Sequence, residues 1–208
     1  MDDGVVCFDW GGVILRICRG FPEGVAAAGL ELRVGADDPD LYDVRRAHSL
    51  DYQRGAMSEQ DFFRSVSDSF RGLYSPEEIA AIHDAWLLEE YEGVAELVDE
   101  LHAHGRTTGM LSNTNARHWA RRERDFPTAG TLGHQHASHL LRAAKPDGAI
   151  YKAFERESGY SGPQVVFFDD LEANIEAARS HGWRAVLIDH TGDTAAQMRS
   201  ALNELGVL

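Results

Sequence analysis

The sequence predicts an α/β fold, a parallel sheet covered by helices on both faces, with an all-helical segment inserted after its first strand. Three observations carry that prediction. An apolar run, Val5-Val6-Cys7-Phe8-Asp9-Trp10-Gly11-Gly12-Val13-Ile14-Leu15, stands near the start of the chain and reads as a strand buried on both faces. From residue 92 onward, short apolar strands alternate with amphipathic helices, and right-handed crossovers turn such alternation into a parallel sheet. Between the two, residues 21–90 keep helical periodicity with no strand signal. The expected division is a core of residues 1–16 and 92–208 and a helical insertion of residues 17–91.

In order along the chain, residues 22–29 read as a short helix and residues 35–39 as a turn. Residues 41–52 carry a helical pattern. Ser58 followed three positions later by Asp61 is an N-cap signature that opens a helix through Phe62, Phe63, Val66 and Phe70. Ser75-Pro76-Glu77-Glu78 opens another, with proline at the first helical position and glutamates in the positive first turn. Val94, Leu97, Val98 and Leu101 fall at helical spacing, closed by Gly105 as a left-handed cap. Residues 106–111 then form a strand that runs into Ser112-Asn113-Thr114-Asn115. Residues 116–144 show no clear pattern. A helix over 147–158 ends at Gly159, a strand over 164–168 runs into Asp169-Asp170, a helix over 173–181 ends at Gly182, a strand covers 184–188, and an amphipathic helix covers 193–205.

Composition narrows the function. With 208 residues and 43% hydrophobic content, the chain can fold around a substantial core. Its formal net charge of -14 argues against nucleic acid or an anionic membrane as partner, because both select basic surface. Two cysteines, Cys7 and Cys18, form neither a disulfide framework nor a zinc motif. Met1-Asp2-Asp3-Gly4 is acidic and leads directly into the strand, and no apolar run reaches spanning length, so a cytoplasmic location is the expectation.

Parallel strands bring their carboxyl ends to one edge, so Asp9, Ser112 and Asp169-Asp170 are expected to converge there. Carboxylates that can hold Mg²⁺, a hydroxyl, a cation from Lys145-Pro146 and a nucleophilic Asp9 in a glycine turn are the groups that phosphoryl transfer to an aspartate needs. These residues resemble the motifs of the haloacid dehalogenase superfamily, in the branch with a helical cap after the first strand. Phe8-Asp9-Trp10-Gly11-Gly12-Val13 is similar to its nucleophile motif, Leu111-Ser112-Asn113-Thr114-Asn115 to its second, Lys145-Pro146 to its lysine motif, and Val166-Phe167-Phe168-Asp169-Asp170 with Asn174 to its acidic motif. Tyr52-Gln53-Arg54-Gly55 resembles the cap of the glucose-1-phosphate phosphatase-like and epoxide hydrolase N-terminal phosphatase-like group.

The resemblance implies a Rossmann-like core and a Mg²⁺-dependent phosphatase of a small phosphorylated metabolite, a sugar phosphate in that group. It makes Asp9 the nucleophile and a metal ligand, with the Gly11 carbonyl and Asp170 as further ligands and Asp169 acting through the metal's water shell. Ser112 and Lys145 would hold the phosphoryl group, the Asn113 amide would donate to it, and Asn174 would support the site. Trp10, His48 and Tyr52 are the expected substrate-facing residues.

One position departs from the pattern. Most phosphatases of the superfamily carry a second Asp where this chain has Gly11, and that Asp protonates the leaving oxygen. Three consequences stay open: a preference for leaving groups that depart readily, a proton from His48 or Tyr52, or slow turnover. A metal-independent dehalogenase and a phosphate-binding regulatory module are the alternatives. His134, His136 and His139 have metal-like spacing, but a site needs converging geometry that spacing alone does not establish.

Overall fold

The computed structural model describes residues 4–36 and 38–208. The acidic Met1-Asp2-Asp3 and Asp37, in the middle of the expected 35–39 turn, lie outside the described residues. Five strands, β1 (Val5–Phe8), β4 (Thr107–Ser112), β5 (His134–Ala137), β6 (Val165–Asp169) and β7 (Arg184–Leu187), form one parallel sheet in the order β5-β4-β1-β6-β7. β1 is central, and all four of its residues are buried. Because side chains alternate across a strand, Val6 and Phe8 enter the hydrophobic cluster on one face while Val5 and Cys7 enter the cluster on the other. That explains why β1 reads as an unbroken apolar run.

The helices that cover the sheet follow the expected grammar. They are α5 (Val94–Ala103), α10 (Gly148–Ser158), α11 (Glu172–Ser180) and α12 (Thr194–Glu204), with the short α6 (Ala116–Trp119), α7 (Arg122–Asp125), α8 (Pro127–Thr131) and α9 (Ser138–Leu141) between β4 and α10. Asp147 caps α10 by accepting from the Ala149 amide at 2.9 Å, and Gly159 ends that helix at φ 81°. The patternless residues 116–144 thus hold four short helices and the edge strand β5. Each element is too brief for periodicity to show. On β5 and α9 the three histidines part company. His134 meets Tyr160, His136 meets Phe154, and His139 meets Trp119. They do not form a metal cluster among the described residues.

Between residues 21 and 86 four helices, α1 (Phe21–Ala27), α2 (Asp40–Gln53), α3 (Glu59–Ser69) and α4 (Pro76–Asp84), enclose a third hydrophobic cluster of their own. The caps read from sequence are formed. The Ser58 hydroxyl accepts from the Asp61 amide at 3.1 Å, and Ser75 and Glu78 make a reciprocal capping box.

The expectation of no strand over residues 21–90 is corrected. β2 (Leu15–Ile17) pairs antiparallel with β3 (Leu87–Glu90), so the chain leaves the sheet and returns to it along a two-stranded ribbon. The opening apolar run is therefore two strands separated by a turn at Gly11 and Gly12. Leu87-Leu88-Glu89-Glu90 has no alternation to reveal it. Its partner lies some seventy residues away, and only closure of the helical block brings the two together.

The block is fastened to the sheet through α6 and α9. Arg117 grips Asp84 at 2.5 and 2.6 Å and Glu59 at 2.9 Å, and Arg121 donates to the Asp84 carbonyl at 2.6 Å. The rings of His83 and His118 stack at 4.0 Å, and a ring nitrogen of His118 lies 2.8 Å from the His83 carbonyl. Burial keeps both imidazoles neutral: it pushes His118 down to about 4 and His83 well below its ordinary value. The unfolded chain takes up protons at these positions near pH 6.5, whereas the folded chain resists until far lower pH. Their contribution to stability is therefore present above pH 6.5 and is lost as pH falls from there toward about 4. In urea unfolding at pH 7.5 and 5, His118→Asn is expected to narrow the drop in stability relative to the parent. An unchanged drop would show that this pair is not its source.

Candidate active site

β1, β4 and β6 deliver their last residues to one edge, and the ladder registers align Phe8 with Met110 and Phe168. Asp9 follows directly, its amide bonded to the Phe168 carbonyl at 2.8 Å. Its Oδ1 accepts from the Trp10 amide at 2.7 Å and from Lys145 Nζ at 2.9 Å. Asp9 Oδ2 has no donor among the described residues.

Lys145 bridges two strands' carboxylates, because its Nζ also lies 2.7 Å from Asp169 Oδ2. Its side chain is fully enclosed. The loop that carries it is clamped by Asn113, whose side chain accepts from the Lys145 amide and donates to the Lys145 carbonyl, both at 2.8 Å. Asn113, expected to act through its backbone amide, thus has a side-chain task in fixing the lysine. Asn174 meets the expectation of support. Its Nδ2 donates to both oxygens of Asp169 at 2.9 and 3.0 Å, and the Leu171 amide adds a third donor at 2.9 Å.

Asp170 is met by Arg19, whose guanidinium donates to Oδ2 at 2.6 Å. No sequence signal singled out Arg19, which lies 151 positions from its partner and depends on the β2–β3 ribbon for its placement. Gly12 makes room for this pair. Its φ is 86°, and a Cβ there would fall on the Asp170 carboxylate and stand 2.7 Å from Arg19 Nη2. The second glycine of the turn is therefore required by both dihedral and space.

One carboxylate oxygen from each of Asp9, Asp169 and Asp170 lies within 4.8 Å of the others. Three carboxyl groups share two cations, Lys145 and Arg19, so acidic groups outnumber the basic ones beside them. Burial, with Asp169 and Asp170 adding repulsion, pushes the Asp9 carboxyl above its ordinary range, against the lowering effect of Lys145. Burial opposes charge on Lys145 as well, but Asp169 and Asp9 outweigh it and hold the ammonium protonated. A cluster of hard oxygen donors short of positive charge fits Mg²⁺. Asp9 and Asp170 are the residues that would hold it, with Asp169 behind them tied to Lys145 and Asn174.

A cavity of about 590 Å³ opens beside this cluster, lined on the sheet side by Gly11, Ser112, Asn113, Lys145 and Asn174 and on the other by the helical block. The Ser112 hydroxyl makes no hydrogen bond among the described residues. Of the three expected substrate-facing residues, Trp10 and Tyr52 line the cavity and His48 does not. His48 lies on α2 outside the cavity lining, because the helical face that meets the cavity carries Arg45, Arg46, Ser49, Leu50 and Gln53 instead. Trp10 touches the cavity but is a core residue, 2% exposed and packed edge-on against Trp119 and Phe126. Tyr52 lines the cavity, with its ring stacked on Phe62 and its hydroxyl on Glu59 at 3.3 Å.

A parallel five-stranded sheet with an acidic cluster and a bridging lysine at its carboxyl edge is the setting of a hydrolase. Residues 4–182 match the haloacid dehalogenase-like hydrolase family, and the chain belongs to it. Among curated proteins it is similar to Phosphatase MT3486 of Mycobacterium tuberculosis (strain CDC 1551 / Oshkosh), 38% identical over 72 residues, 35% of this chain and 33% of that protein. The match therefore spans about a third of that relative's length. Among solved structures, the family enzyme BT-2542 of Bacteroides thetaiotaomicron has the same fold at a TM-score of 0.79 and 20% identity, over 96% of this chain and all of that one. The same enzyme is known in complex with magnesium and inorganic phosphate. A 2-haloacid dehalogenase of Pseudomonas syringae pv. Tomato also matches, at a TM-score of 0.63 and 17% identity over 97% of this chain and 98% of its own. The fold is thus shared with an enzyme that binds magnesium and inorganic phosphate and with a 2-haloacid dehalogenase.

Proposed function

We propose that the chain is a Mg²⁺-dependent phosphatase of a small phosphorylated metabolite, working through an aspartyl-phosphate on Asp9. The observation that carries this reading is the gathering of Asp9, Asp169 and Asp170, the first two bridged by Lys145, with the open cavity alongside. Such a group of hard oxygen donors favours a metal-dependent reaction over a metal-free dehalogenase. We propose likewise that residues 17–91 act as a cap over a core of 1–16 and 92–208.

Asp9 Oδ1 is held by Trp10 and Lys145, so Oδ2 is the attacking oxygen. It forms a bond to phosphorus in line with the ester oxygen, and the P–O bond to the leaving group breaks. Ser112 and Lys145 hold the phosphoryl oxygens. Water then attacks phosphorus, releases inorganic phosphate and restores the Asp9 carboxylate. Mg²⁺ at the carboxylate cluster supplies charge neutralisation for the phosphoryl oxygens when bound. Hydrolysis of a panel of sugar, aryl and alkyl phosphates with Mg²⁺, abolished by EDTA, is the expected result. Halide release from 2-haloacids that is insensitive to EDTA, with no phosphate release, would overturn it.

The leaving oxygen receives no proton from residue 11. His48 is outside the cavity lining and the Tyr52 hydroxyl is turned to Glu59, so neither replaces the missing acid. The rate should therefore fall steeply as the leaving group becomes more basic. Gly11→Asp is expected to accelerate poor leaving groups selectively, by up to about 10²-fold, a modest share of what general acid catalysis supplies. A Cβ at Gly11 would stand 3.0 Å from the Ile17 side chain, so the gain should be fuller with Ile17→Ala. Equal acceleration of good and poor leaving groups would contradict this account.

A further inference from the structure

The cavity has a composition at odds with the molecule around it. The chain carries 34 acidic residues against 20 lysines and arginines, yet among the described residues none of the cavity's lining is Asp or Glu. Four arginines, Arg19, Arg45, Arg46 and Arg54, line it together with Lys145. Two of them already have tasks. Arg19 pairs with Asp170, and Arg45 lies over the Phe21 and Phe70 rings while donating to the Ala36 carbonyl at 3.1 Å. Arg46, midway along α2, and Arg54, just past its end, have no acidic partner among the described residues.

Beside the polar Ser49, Tyr52, Gln53 and His83, much of the remaining wall of the helical block is apolar. Ile17, Phe21, Leu50, Trp86 and Leu87 are half-buried and line the same space. Carboxylates, the strongest acceptors for sugar hydroxyls, are missing from the described lining, which offers neutral acceptors such as Ser49, Gln53 and Asn115 instead. An apolar wall favours an aromatic or aliphatic body, and arginines with no acidic partner among the described residues favour a second anion.

We propose that the substrate is a phosphomonoester of an apolar, aromatic or aliphatic body bearing a second anionic group, which Arg46 and Arg54 receive. This rests on the phosphatase reading above and assigns its substrate class. The phosphate faces Ser112 and Lys145, the body lies along Leu50 and Trp86, and the second anion reaches Arg46 and Arg54. Arg46 and Arg54 are thus specificity-determining residues.

The test compares 4-(carboxymethyl)phenyl phosphate with its uncharged amide, 4-(carbamoylmethyl)phenyl phosphate, and with glucose 1-phosphate, all with Mg²⁺. The two aryl esters are closely matched in leaving group and shape, so their ratio reads the second charge. The carboxylate is expected to exceed the amide in kcat/KM by roughly tenfold, as a charge-assisted contact allows, and to exceed the sugar phosphate as well. In R46M/R54M that ratio should fall toward one through a higher KM for the carboxylate ester, with no fall in its kcat of similar size. Equal rates for acid and amide in the parent, or a preference for the sugar phosphate, overturn the substrate class and leave the phosphatase reading standing. No phosphate release in any arm overturns that reading, and the substrate class falls with it.

Discussion

Asp9→Asn should abolish hydrolysis of every phosphate ester the parent turns over, with a loss of roughly 10⁴–10⁶-fold, the scale seen when a covalent nucleophile is removed. The amide has the shape of the carboxylate and keeps an oxygen for the Trp10 amide, so the turn should survive. Lys145 retains Asp169 as its partner. The metal-free variant should be at least as stable as the parent at pH 8, because burial already raises the Asp9 carboxyl above its unfolded value. A raised acid holds its proton in the folded state after the unfolded chain has released it. Its contribution is therefore favourable at low pH and is lost as pH rises toward about 7, and removing the ionisable group removes that loss. Phosphate release and urea unfolding on the same preparation measure both effects. Residual turnover within tenfold of the parent would remove Asp9 as nucleophile.

Lys145→Met should cost both activity and stability. The ammonium is enclosed between Asp9 and Asp169, and Asp169 is itself fully buried. Taking away one partner of a buried ionic group typically costs about 3–5 kcal/mol, because the charges left behind have no solvent. Methionine fills the space and supplies no charge. The loss should be larger at pH 8 than at pH 5.5, since protonation of the stranded carboxyls relieves it. Added Mg²⁺ should restore part of the stability. D9N/K145M should lose less stability than the sum of the two single changes, as residues in one network couple. A stability loss below about 1 kcal/mol in Lys145→Met would show that the bridge between the carboxylates carries little of the site's energy.

Much of this site was legible before any coordinates. Lys145, in the loop after α9, was legible only through the resemblance, but Asp9, Ser112 and the Asp169-Asp170 pair each stand at the end of a strand or directly after one. Parallel topology alone makes such ends converge, so residue type and position sufficed. The caps at Ser58 and Ser75 were equally legible, because each is decided by hydrogen bonds within one helical turn. The β2–β3 ribbon was not, since its two strands meet only across the whole helical block. Nor was Arg19, an unremarkable arginine until that ribbon sets it beside Asp170.

The sequence by itself determined the fold class, the nucleophile motif and the absence of an acid at Gly11, all of which depend on side-chain chemistry and short-range pattern. Only the tertiary structure decided which arginines face the cavity, that no described acidic residue lines it, and that Asn113 locks the lysine loop. Those facts arise from helices packing across long separations. The side chain that a helix turns toward a cavity depends on its neighbour's position, and a linear pattern does not encode that.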